Sequence, residues 1–99
     1  MHTTARRIEG GQPLRDAMAA SELSLKGLAR ATRAVDEDSR GVSWQLLAFL
    51  STSAGYARET TTVRTAELIE DALSVPRGSL FERESRGAKP DRQPAWEAL

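Results

Sequence analysis

The chain contains no cysteine, and its single histidine is His2. Without thiols there is no disulfide framework, thiolate zinc site, iron–sulfur cluster or cysteine nucleophile. One histidine cannot build a histidine-based metal site or a catalytic triad. Aromatic residues amount to 5% and hydrophobic residues to 39% of the chain, which argues against a barrel or multi-stranded sandwich rich in β-branched and aromatic side chains. The longest apolar stretch, residues 46–50, falls far short of the ~20 residues that cross a bilayer. No charged-then-apolar leader precedes a small-residue cleavage site, so a cytoplasmic location is expected. Gly10-Gly11 is too short for a phosphate-cradling loop and follows no predicted strand. These absences disfavour an enzyme, and no cofactor or metal is expected.

What the sequence does hold is one small domain. Ninety-nine residues, 28% of them charged, leave room for one modest core that buries ~60–65% of the unfolded surface. The net charge is zero but unevenly spread: residues 1–35 carry +3, residues 36–40 carry −2, residues 41–64 carry +1 and residues 65–99 carry −2. A mildly basic front half is compatible with a DNA-facing surface.

Apolar spacing and turn chemistry predict five short helices. Residues 1–11 lack apolar periodicity and read as a flexible arm. Pro13 suits the first turn of a helix over about 13–21, with Leu14, Ala17 and Met18 on one face. Ser24 opens a second helix that buries Leu28 and Ala29 and turns Lys26, Arg30 and Arg33 to solvent. Asp36-Glu37-Asp38-Ser39-Arg40 is a polar, turn-forming run. It lacks the ligand spacing of a calcium loop and reads as a solvated loop that repels phosphate. Ser43 is a good N-cap for a third helix with Val42, Leu47 and Leu50 inward; Trp44, Leu46 and Phe49 cannot all join them. After a threonine-rich loop, a fourth helix is expected from about Thr62 to Leu73. Pro76 then fits the first turn of a fifth, returning Leu80 and Phe81 to the core. From Glu82 onward the charged, proline-bearing sequence reads as a disordered tail.

Two stretches carry a family resemblance. Leu23-Ser24, Leu28-Ala29, Gly41-Val42-Ser43, Leu47 and Leu50 resemble the two-helix core of the Cro/repressor (XRE-type) helix-turn-helix family. Thr65, Ile69 and Ala72-Leu73-Ser74-Val75-Pro76-Arg77-Gly78-Ser79-Leu80-Phe81 resemble its closing segment, in a form found in actinobacteria and their phages. The resemblance covers about residues 13–82. It implies an all-α, lambda-repressor-like five-helix bundle: a flexible arm over 1–11, a DNA-binding domain over 12–82 and a tail over 83–99. The chain departs from the pattern in two places. Residues 30–40 make the connection between the helices seven or eight residues longer than usual, and Leu25 replaces the frequent phosphate-touching glutamine.

The resemblance implies a recognition helix at about 43–52 that enters the major groove. Its base-facing candidates are Ser43, Trp44, Gln45 and Ala48, with the Gln45 amide matching adenine and Trp44 or Ala48 packing on a thymine methyl. For Trp44, packing against the second helix or the long loop is the competing reading. Phe49 reads as core or dimer contact. Phosphate contacts would come from Ser24, Lys26, Arg30, Thr52, Ser53 and Arg58, with Arg6 and Arg7 of the arm reaching a minor groove or flanking phosphate. The implied function is a transcriptional regulator, a phage immunity repressor or Cro-like protein that occupies a double-stranded operator, with a homodimer possible. The alternative is an antitoxin-like or adaptor module whose C-terminal tail, anchored by Trp96 and Leu99, folds onto a protein partner.

Overall fold

Three of the four helices begin at a side-chain cap, and the other begins at a proline. In a computed structural model, which describes residues 3–85, Pro13 occupies the first turn of α1 (Gln12–Ser21), where its missing N–H breaks no helical bond. Ser24 accepts the Gly27 N–H at 3.0 Å and starts α2 (Leu25–Val35). Ser43 accepts the Leu46 N–H at 3.2 Å and starts α3 (Trp44–Ser51). Thr62 accepts the Thr65 N–H at 3.1 Å and starts α4 (Val63–Ala72). Each such cap contributes about 1 kcal/mol by satisfying an orphan donor.

The rest of the chain corrects the all-α expectation. The fold is mixed: four helices stand with a three-stranded antiparallel sheet in the order β2-β1-β3, not in a five-helix bundle. The supposed arm supplies the central strand, β1 (Thr3–Arg7). It pairs on one side with β2 (Thr60–Thr62), Ala5 opposite Thr61, and on the other with β3 (Phe81–Ser85), Ala5 opposite Arg83. A 3₁₀ turn, Ile8–Gly11, then leads into α1. The expected fifth helix does not form. Glu70, fully buried, accepts the N–H groups of Gly78, Leu80 and Phe81 at 2.9, 3.1 and 3.2 Å on one carboxylate oxygen. Those donors are therefore spent on a turn from Pro76 to Ser79, closed by a Ser79 N–H to Pro76 carbonyl bond, and the chain enters β3 instead. Residues 83–85 belong to that strand; the remainder of the predicted tail, with Trp96 and Leu99, lies outside the described residues.

The core lies between the helices and the sheet. Leu28, Leu47, Leu50 and Ile69 from three helices meet Leu14 and Phe81, all fully buried. As the spacing of residues 44–50 requires, Leu47 and Leu50 point inward, Leu46 is half-buried, and Trp44 and Phe49 remain exposed. No helix among the described residues is long and apolar enough to cross a membrane.

The connection between α2 and α3 holds a second correction. α2 runs on to Val35, and residues 36–43 then link it to α3. This loop is not simply solvated: Asp36 is buried and organises it. Its carboxylate accepts the N–H groups of Gly41, Asp38 and Arg40 at 2.8, 3.0 and 3.2 Å and the Arg64 guanidinium from α4. Gly41 is obligatory. Its φ is 66°, and a Cβ there would sit 2.5 Å from Arg33 Cγ and 2.7 Å from the Arg33 nitrogen. Thr32 completes the join, accepting the Val42 N–H at 2.9 Å while donating to the Ala29 carbonyl at 2.7 Å.

Candidate nucleic-acid interface

α3 is fixed at both ends. Ser43 caps its start, and two arginines satisfy the carbonyl groups at its finish. Arg7 Nη1 donates to the Leu50 carbonyl at 3.1 Å and the Thr52 carbonyl at 2.6 Å. Its remaining donors grip both oxygens of Glu59, at 3.1 and 2.7 Å. That pair holds the Glu59 carboxyl below its ordinary range. Arg15 Nη1 donates to the Ser51 and Gly10 carbonyls, and its Nη2 donates to Gln12. Two cations at a helix C-terminus also oppose the negative end of its dipole. Gly11, with φ 87°, makes this approach possible: a Cβ would lie 2.8 Å from Arg7 Nη1 and 2.9 Å from the Leu50 oxygen. Arg7 was expected at a phosphate. It is buried instead, every donor group engaged, and serves as a brace for α3. Arg6 is exposed on the sheet, opposite Thr60 and Glu82.

The outward face of α3 is uncharged. Residues 41–57 contain no Asp, Glu, Lys or Arg. Gln45 is exposed, Ala48 half-buried, and Trp44 and Phe49 are 43% and 38% exposed. Ser43 is exposed with its hydroxyl oxygen engaged in the cap. Each aromatic ring has a neighbour. Lys26 Nζ stands 5.8 Å from the Trp44 ring centroid, a cation–π arrangement. Tyr56 meets Phe49 edge-on, with centroids 5.9 Å apart and ring planes at 78°. Trp44 therefore does adjoin α2, through Lys26, while keeping an open face. Tyr56 joins this surface through Phe49; its only signal in the sequence is an aromatic between Gly55 and Ala57, a few residues past an apolar helix.

Cations flank this face. Lys26, Arg30 and Arg33 follow each other at helical spacing along α2, are all exposed, and have no acidic residue within their helix. Arg33 belongs to the set by that spacing. The Arg58 N–H donates to the Phe49 carbonyl at 2.9 Å, which places this exposed arginine beside the other end of α3. Among the described residues, Lys26, Arg30, Arg33 and Arg58 make no ion pair with an acid. Ser24 is an exposed N-cap, Ser53 is exposed, and Thr52 Oγ1 accepts the Ala54 N–H at 3.1 Å. The structure thus brings Ser43, Trp44, Gln45, Ala48, Lys26 and Arg58 together around α3, and removes Arg7 from the group.

The opposite character prevails around α4. A hollow of about 220 Å³ between the end of α2 and α4 is lined by Asp36, Glu37, Glu67 and Asp71 with Arg64 and Arg77. Both arginines are paired: Arg64 with Asp36 and Asp38, Arg77 with Asp71 and Glu67. The Gly41 and Asp38 N–H groups, with Arg64, hold the Asp36 carboxyl below its ordinary value; Arg77 does the same for Asp71, and its own pKa is raised in return. No group of three or more His, Cys, Asp or Glu among the described residues is placed to hold a metal ion. Set against known protein families, curated proteins and solved structures, the chain finds no match in any of the three.

Proposed function

We propose that the chain is a sequence-specific, double-stranded-DNA-binding transcriptional regulator, a repressor of the phage type that occupies its operator through α3. The observation that carries this reading is the uncharged, rigidly held outer face of α3 flanked by four unpaired cations. Phosphate neutralisation supplies the sequence-independent part of affinity. Lys26, Arg30, Arg33 and Arg58 are the residues available for it, and the N-terminal turn of α2 at Ser24 offers backbone N–H groups as well. A helix braced at both ends presents Gln45 and Trp44 in one orientation, so that base contacts are made without further ordering of the chain.

The test is selection from a random duplex pool, with Gln45→Ala run in parallel. Wild type is expected to enrich one motif and Gln45→Ala to relax one position in it, by about 1–3 kcal/mol of discrimination. A motif with two-fold symmetry indicates that two copies bind, an asymmetric one that a single copy does. A pool that enriches nothing defeats the reading. It would favour a second one, a protein partner seated on the same face, for which the joint exposure of Trp44, Phe49 and Tyr56 speaks.

A further inference from the structure

Resting on that duplex-binding reading, we infer that the group α3 recognises in the major groove is the C5 methyl of a pyrimidine, carried by thymine or by 5-methylcytosine. The argument begins with what α3 lacks. Guanine is read in the major groove by Arg or Lys on its O6 and N7, and cytosine by a carboxylate on its N4 amino group. Residues 41–57 offer neither. The only extended polar group on the outward face is the Gln45 amide, whose donor and acceptor match adenine.

Everything else α3 presents outward is apolar: the exposed Trp44 and Phe49 rings and the half-buried Ala48 methyl. An apolar surface pressed into the groove gains only where it meets another apolar surface. The one such group that a base pair projects there is the pyrimidine C5 methyl. Each ring also packs against a neighbour, Trp44 against Lys26 at 5.8 Å and Phe49 against Tyr56 at 5.9 Å. Lys26 is thus both the neighbour of Trp44 and an exposed cation available to the phosphate chain beside the contacted base. Charge complementarity selects a polyanion as the occupant of this face, since the charged residues of α2 are all basic and the exposed Arg58 lies beside the far end of α3.

The experiment uses the full chain and the duplex that it selects. Each thymine in the motif is replaced singly by deoxyuridine, which removes the methyl and nothing else. Affinity is expected to fall roughly fourfold at each contacted position, the worth of one buried methyl group. Trp44→Ala protein is expected to bind thymine and uracil duplexes equally at the position Trp44 covers, and Phe49→Ala to do the same at its own. Both side chains are exposed, so neither variant threatens the core. A third arm places 5-methylcytosine·guanine at the sensitive position. Retained affinity identifies the methyl as sufficient on either base; affinity lost there, with uracil still discriminated, identifies thymine as the source. If a motif is selected but uracil is tolerated throughout, the methyl assignment is wrong and the duplex reading stands. If no motif is selected, both fall.

Discussion

The two sides of this molecule use arginine in opposite ways. Around α4, Arg64, Arg77 and Arg83 each meet carboxylates: Asp36 and Asp38, Glu67 and Asp71, Glu67 and Glu70. Along α2 and beside α3, Lys26, Arg30, Arg33 and Arg58 meet none among the described residues. With a net charge of zero, the chain has not accumulated positive charge; it has sorted it. A paired cation is already neutralised and attracts a phosphate only weakly. An unpaired one keeps an uncancelled field, which decays over a Debye length of ~10 Å at 0.1 M salt. The placement of acids therefore decides which side can meet a polyanion. It also separates charges that hold the fold from charges that are surplus to it.

The largest expected difference between the two sides is in stability. Glu70→Ala strips the acceptor from three buried or part-buried N–H groups at the start of β3. At about 1 kcal/mol or more per stranded group, a loss of ~3 kcal/mol is expected, which lowers Tm by roughly 12–24 °C for a domain of this size. Thermal denaturation followed by circular dichroism checks it. Lys26→Ala and Arg30→Ala, made together as the counterpart, should move stability by no more than about 0.5 kcal/mol. Their effect falls on binding. The salt slope of duplex affinity should drop by about 1.8 for two lost phosphate contacts, equivalent to on the order of 60-fold at 0.1 M salt. Arg77→Ala, from the paired side, should leave that slope unchanged.

How far these roles were legible in the sequence depended on whether the deciding partner was near in the chain. The helices were legible because their caps are local: Ser24 and Ser43 each meet an N–H three residues on. The sheet was not, because its pairings join Ala5 to Thr61 and Arg83, and over residues 4–7 its central strand buries Ala5 and Arg7. Arginine is among the residues least often fully buried, so Arg7 reads as a surface charge until the Leu50 and Thr52 carbonyls and Glu59 are seen around it. Thr60-Thr61-Thr62-Val63 was a β-branched run open to a strand reading. The outward face of α3 was accessible from pattern alone, since the exposed Trp44 and Gln45 follow the Ser43 cap. The absence of acids beside Lys26 and Arg30 only became informative once the fold showed the acids gathered around α4.

The smallest expected effect concerns pH. The folded protein holds Asp36 below its ordinary pKa of 3.8, chiefly through the Gly41 and Asp38 N–H groups and Arg64. A carboxylate with a lowered folded-state pKa stabilises fully above its unfolded value and loses that contribution as pH falls through the folded one. Wild type and Asp36→Asn should therefore differ most in urea midpoint near pH 5 and converge as the pH is lowered through about 3.8 and beyond. Parallel midpoints across that window would show that the Asp36 loop is not held by charge.

The sorting of cations is tested most directly by titrating uniformly ¹⁵N-labelled protein with the selected duplex and following backbone amide shifts. The account predicts perturbations confined to residues 24–33 and 43–58, fading as salt is raised, with residues 63–83 unmoved. Shifts concentrated around α4 and its acidic hollow, or none with any duplex at low salt, would contradict it.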